Sequence, residues 1–258
     1  MRASNNPALT RSPAFTGRGL GTADPLEEAY SGPSATSRDT GRMTVDDVVN
    51  RTGLLLAIAF VTGAITWTVE VLRVLTFPAA IVGFILAMVI IFKQVMNPGV
   101  IMAYAAVEGV FLGGISQLFE SRYSGIVPQA VVGTAAVTGG VLALYKSGRI
   151  KVTPQFTKMV VGATIGFFVL MMVNLVARLV TDGGGLGLRS GTLGIVVGLF
   201  AIGLASMNLI LDFDMVEKGA RQGLPSRYGW FAAFGIMVTL VWLYIEILRL
   251  LSILRGND

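Results

Sequence analysis

From about residue 52 onward the polar positions thin out. The apolar residues then run on with neither the two-residue alternation of a strand nor the one-sided stripe of a surface helix. Seven such runs can be marked, at about 52–69, 77–93, 99–119, 128–145, 155–179, 191–213 and 229–252. Each is near the ~20 residues that a helix needs to cross ~30 Å of hydrocarbon. Pro78, Pro98, Pro128 and Pro154 fall near the starts of runs two to five, where a missing backbone donor costs little. Ahead of the first run, Thr44 followed by Asp46 and Asp47 has the chemistry of a helix start. The pattern predicts an all-α polytopic membrane protein, a seven-helix bundle over 44–258. Residues 1–43 are different: Pro, Gly, Ser and Thr dominate, and Arg2, Arg11, Arg18, Arg38 and Arg42 alternate with Asp24, Glu27, Glu28 and Asp39. A segment that buries so little apolar surface does not offset its ordering entropy, so a disordered tail is expected, either inert or a handle for a partner or protease. No apolar core follows its early arginines, so it does not read as a signal peptide.

Composition agrees with a bilayer protein: 53% of residues are hydrophobic, 14% are charged and mean hydropathy is +0.72. With no Cys and no His, disulfides, zinc and haem sites, Ser-His or Cys-His nucleophiles and imidazole switches are all excluded. Carboxylates are left to respond to pH. The formal charge of +5 does not indicate a nucleic-acid partner, because the basic residues lie in the loops between apolar runs and not on one face. They report topology instead. On the tail's side fall Arg42, Arg51, Lys93, Lys146, Arg149, Lys151, Lys158, Lys218, Arg221 and Arg227; opposite them fall Arg73, Arg122, Arg178, Arg189, Arg249 and Arg255. That bias places the amino terminus in the cytoplasm and, after seven spans, the carboxyl terminus outside.

Small residues recur four apart at Gly109/Gly113, Ala135/Gly139, Gly162/Gly166 and Gly194/Gly198, a spacing that lets helix backbones approach closely. The glycines between 183 and 191 do not satisfy G-x-G-x-x-G and follow no strand, so they do not read as a phosphate loop.

Candidate chemistry gathers on the acids inside the spans, where ionisable residues by default mark a pathway, a relay or a partner. The run LILDFDMVE, Leu209 to Glu217, ends in three carboxylates. Asp212 is expected to close span six near the cytoplasmic face, Glu108 to sit mid-membrane in span three, and Glu246 to lie in the outer half of span seven. That order suggests a staircase of carboxylates for a proton or cation, each acid offering a hard oxygen ligand or a proton-carrying site. Asn208, one turn before Asp212, shares its face. Asp214 points away from Asp212 and, with Glu217, has a plainer reading as headgroup-level charge near Lys218 and Arg221. Lys93 is at a depth where it could pair with Asp212, or be a simple topology marker. Plainer readings also exist for Glu246, as an i,i+3 pair with Arg249, and for Glu108, as a protonated acid bonded to a neighbouring helix. No GxGD-like context surrounds Asp212 or Glu246, so no catalytic residues and no enzyme are expected.

Three stretches carry a family likeness: LILDFDMVEKGA (209–220), VTLVWLYIEILRLLSILR (238–255) and AVEGVFLGGIS (106–116). Together they resemble the Bax inhibitor-1/YccA family, also called the transmembrane Bax inhibitor motif family, in a bacterial branch with a long amino-terminal tail. The resemblance covers about 45–255. It implies a seven-helix protein of the bacterial plasma membrane in which acids on helices six and seven share a proton and control a calcium leak. By position those acids would be Asp212 and Glu246. Glu replaces the family's second Asp, and 34 residues separate the pair, more than the family's usual spacing; an insertion within 216–230 would account for this. Some members instead bind a membrane AAA protease through a cytoplasmic tail, which implies a second reading as a non-transporting regulator.

Overall fold

A computed structural model describes residues 41–180, 186–188 and 190–256. The tail over 1–40, most of the glycine cluster and Arg189 lie outside the described residues. Seven helices follow one another: α1 (Val45–Thr68), α2 (Thr76–Lys93), α3 (Pro98–Glu120), α4 (Ile126–Lys146), α5 (Pro154–Val180), α6 (Gly191–Arg221) and α7 (Tyr228–Gly256). A short 3-10 turn, Glu70–Leu75, precedes α2. All seven helices are long and apolar enough to cross a membrane. Among the described residues the one β-like feature is an isolated bridge between Arg42 and Pro225.

Local sequence sets the ends. Thr44 caps α1, its Oγ1 accepting from the Asp47 amide at 3.0 Å, and Asp46 and Asp47 occupy the positive end of the helix. Asn97 caps α3 through Gly99, with Pro98 in the first turn. The Glu120 carboxylate turns the chain from α3 into α4 by accepting from the amides of Gly125 and Val127. Gly125 there has φ +78°, a conformation that suits a residue without a Cβ. One boundary differs from the sequence expectation: the sixth helix runs to Arg221 and not to about 213. Val216 and Gly219 are buried in the core, so the charged LDFDMVEK stretch is held helical by packing that a hydropathy pattern does not display.

Spanning helices alternate in direction. The start of α1 and the α2–α3, α4–α5 and α6–α7 connections therefore share one end of the bundle, the tail end; the other connections and the end of α7 form the far end. α7 is the most enclosed helix, with 56% of its most apolar stretch buried against 11% for α4. It packs along α6 and touches α1, α3 and α4. α1 and α3 cross very closely, because a Cβ on Gly109 would lie 2.3 Å from the Ala59 carbonyl and one on Gly113 2.2 Å from that of Gly63. The other small-residue pairs do not all pack in this way. Gly139, Gly162 and Gly166 have nothing within 4 Å of a built Cβ, which corrects the expectation that their spacing marks helix contacts in this chain.

At the tail end, the chain entering α1 is tied to the α6–α7 connection. The Met43 amide donates to the Leu224 carbonyl at 2.7 Å and the Ser226 amide to that of Gly41 at 2.8 Å. Arg51 reinforces this by donating to Ser226 O at 2.5 Å and Oγ at 2.7 Å, with its guanidinium 5.1 Å from the Trp230 ring centroid.

Candidate functional site

Depth along each helix can be measured from the tail end at ~1.5 Å per residue. Glu108 is ten residues into α3 and Asp212 is nine residues before the end of α6, so both lie ~14–15 Å in. Thr239, eleven residues into α7, is at the same level, ~16 Å. The side chains agree with this count, since Thr239 Oγ1 donates to Asp212 Oδ2 at 2.6 Å. The expected staircase is therefore corrected. Asp212 does not end its helix but shares a mid-bundle layer with Glu108, because α6 continues for more than two turns beyond it.

Asp212 is half-buried, and among the described residues no basic side chain pairs with it. Lys93, considered as its partner, is exposed at the end of α2 and makes no ion pair among the described residues. Asn208 does not extend towards Asp212; its Nδ2 donates to Thr164 Oγ1 of α5 at 2.8 Å and to the Leu204 carbonyl at 2.9 Å. Asp214 pairs with Lys218 at 2.6 Å. Glu217 takes a bond from the Tyr145 hydroxyl at 2.5 Å and pairs with Arg221, which leaves those acids in tail-end ion pairs.

Glu108 is buried, with the Tyr104 phenol, one turn earlier, beside its carboxylate. Tyr104 is fixed in turn by an edge-on contact with Phe234 of α7, centroids 4.9 Å apart. The carboxylate faces α2 at Gly83, where a built Cβ would lie 3.0 Å from Glu108 Oε2. Room for this acid thus depends on a glycine of the preceding helix.

Glu246 is buried and holds Arg249 of its own helix at 3.0 Å. It lies seven residues beyond Thr239, which is ~10 Å further along α7. The sequence matches the family model described as Bax inhibitor 1 like over residues 6–256. The chain belongs to the Bax inhibitor 1-like family. No curated protein matches it. Against what the resemblance implied for a Bax inhibitor 1-like protein, the acid of α6 here faces a threonine of α7, and Glu246 is not its partner. The connection between α6 and α7 is only 222–227, so most of the 34 residues lie in the two helices, and Glu246 is two turns past Thr239, the residue that meets Asp212. The first alternative for Glu246, the pair with Arg249, is what the structure contains.

Sequence reasoning passed over Thr239, Tyr104, Thr164 and Gly83. Two of them carried a signal: Thr239 precedes Glu246 by one heptad and so shares its face, and Tyr104 precedes Glu108 by one turn. Gly83 and Thr164 act from other helices, and only the fold assigns them. Among the described residues no three acids gather where a metal ion could be held.

Proposed function

We propose that this Bax inhibitor 1-like protein is a pH-sensitive cation leak whose switch is the Asp212–Thr239 contact, with calcium as the cargo that the family likeness suggests. The observation that carries this reading is a half-buried carboxylate, mid-bundle, held by one neutral hydroxyl and no basic residue among those described. Such a group exchanges a proton or offers a hard oxygen to a cation in a way that an ion-paired acid does not. Ionised, Asp212 accepts from Thr239 and ties α6 to α7; protonated, it becomes a donor itself and the tie must rearrange. Glu108, at the same depth on α3, is the second polar station. The reading assigns no catalytic step, and it places the protein in a plasma membrane with its amino terminus cytoplasmic.

Calcium flux into proteoliposomes at pH 6, 7 and 8 tests it. The wild type is expected to vary with pH, Asp212→Asn to lose that variation, and Glu246→Gln to keep it. No flux at any pH from correctly oriented protein, or an unchanged slope in Asp212→Asn, overturns the reading.

One observation favours the second reading, a non-transporting regulator that engages a membrane AAA protease through its tail. Gly41–Met43 is bonded to the α6–α7 connection, so a partner holding the tail would act directly on the helices that carry Asp212 and Thr239. Deleting residues 1–40 would then abolish function with the acids intact, whereas the leak reading expects pH-dependent flux to survive.

A further inference from the structure

A recess of about 1080 Å³ lies between α1 and α4, with α3 and α7 as its floor. The backbones of α1 and α4 do not approach each other, so the recess opens sideways, and rim residues Phe60 and Val131 are 77% and 53% exposed. Its walls run from Leu56 to Thr68 on α1 and from Val127 to Gly139 on α4, each ~18 Å long. One leaflet of hydrocarbon is ~15 Å deep. The recess therefore spans about one leaflet, from the far end of the bundle to mid-membrane.

Its concavity comes from small residues. Ala57, Gly63 and Ala64 face it from α1, and Ala135 and Gly139, both exposed, face it from α4. Its hydroxyls are largely spoken for: Ser116 and Tyr244 bond each other at 2.6 Å, and Thr134 bonds the Ala130 carbonyl at 2.7 Å. Thr138 Oγ1 alone has no partner among the described residues. An occupant must be apolar along this length. The recess lies open to the bilayer along that length, and ~18 Å of apolar wall matches the acyl region of one leaflet. At the far end the mouth carries Trp67, a residue type enriched at membrane interfaces. The Glu120 carboxylate lines this end too, held by the amides of Gly125 and Val127, with half-buried Arg255 near it and donating from Nη1 to the Ser124 carbonyl at 2.6 Å; exposed Arg122, two residues on from Glu120, is the cation left for a phosphate.

We infer that this recess is a binding site for one phospholipid, with acyl chains between α1 and α4 and the headgroup at the Trp67 mouth near Arg122. The inference depends on the membrane-spanning bundle and not on the leak.

The test compares lipid retained by full-length wild type and by the double variant Ala64→Phe, Ala135→Phe after stringent delipidation, using native mass spectrometry and lipid extraction. Both alanines are exposed in the recess and neither belongs to the carboxylate layer. Wild type is expected to keep about one phospholipid per chain, and the variant to keep about ten-fold less at an unchanged unfolding temperature. Equal retention, no retained lipid in wild type, a retained molecule of another class with a polar group at the depth of Thr138, or a second chain cross-linked through this face each overturns the assignment. If the variant does not fold, a phospholipid with a photoreactive acyl chain is used on wild type. Adducts concentrated on Leu56, Ala64, Val131 and Ala135 support the site, and adducts spread evenly around the bundle overturn it.

Discussion

Among the acids, what separates a switch from a structural charge is the identity of the partner. Asp214, Glu217 and Glu246 each have a basic residue three or four positions along the same helix, so their charges are answered locally. Among the described residues Asp212 is answered only across a helix interface, by Thr239. Replacing Thr239 by Val keeps the shape and removes the hydroxyl, while Ser keeps the hydroxyl and removes a methyl. The expected outcome in the flux assay is a displaced pH profile for Thr239→Val and a wild-type profile for Thr239→Ser; equal behaviour of the two would mean that the residue acts by packing. The loss of a hydrogen bond to a charged group is worth about 1.5–3 kcal/mol, so Thr239→Val should also unfold more easily. These partners explain why the site was only half legible. LILDFDMVE announces its acids, and the spacing already leaves Asp212 without a local counter-charge, but which α7 residue meets it depends on helix rotation, and the seven-residue step from Thr239 to Glu246 decides that.

Helices here meet on glycine only where the backbones need it, and α1 with α3 is the clearest case. A methyl on Gly113 would meet the backbone of Gly63 at 2.2 Å, with no flexible side chain to yield, so Gly113→Ala should destabilise by about 1–3 kcal/mol through overpacking. Gly162→Ala, on the open face of α5, should instead be neutral or gain up to about 1 kcal/mol of helix propensity. Thermal unfolding in detergent distinguishes the two. The sequence shows both motifs in the same form. Spacing reports that a close approach is allowed, and only the arrangement of helices decides whether one occurs. The same holds for the end of α6, where polarity past residue 213 reads as a loop and burial of Val216 and Gly219 keeps it helical. At the tail end, Arg51→Ala removes both bonds to Ser226 and the stacking on Trp230. Faster amide exchange across 223–230 is expected, with a stability loss of about 1.5–3 kcal/mol. Unchanged exchange there would show that the Met43–Leu224 and Gly41–Ser226 bonds hold the connection without it.

At the scale of the whole molecule, seven spans were legible because each crossing has to satisfy its backbone within itself and so writes a long apolar run. Which way the bundle faces is carried by much less, the excess of Lys and Arg at the tail end over the far end. That asymmetry includes Lys146, Arg149 and Lys151 in one short connection, against Arg122 and Arg255 around the opposite turn. The chain has no cysteine, which makes the orientation directly measurable without first removing native thiols. Ser147 and Ser124 are both exposed, in the α4–α5 and α3–α4 connections respectively, and so lie at opposite ends of one helix. With the tail in the cytoplasm, Ser124→Cys should react with a membrane-impermeant maleimide on intact cells, and Ser147→Cys only after permeabilisation. The reverse pattern would invert the bundle. It would place the mouth of the lipid recess in the inner leaflet and bring Asp212, still mid-bundle, under the influence of the opposite compartment's pH through the tail end. The direction in which the proposed switch senses acid therefore rests on this topology, and the two labelling sites settle it independently of any flux measurement.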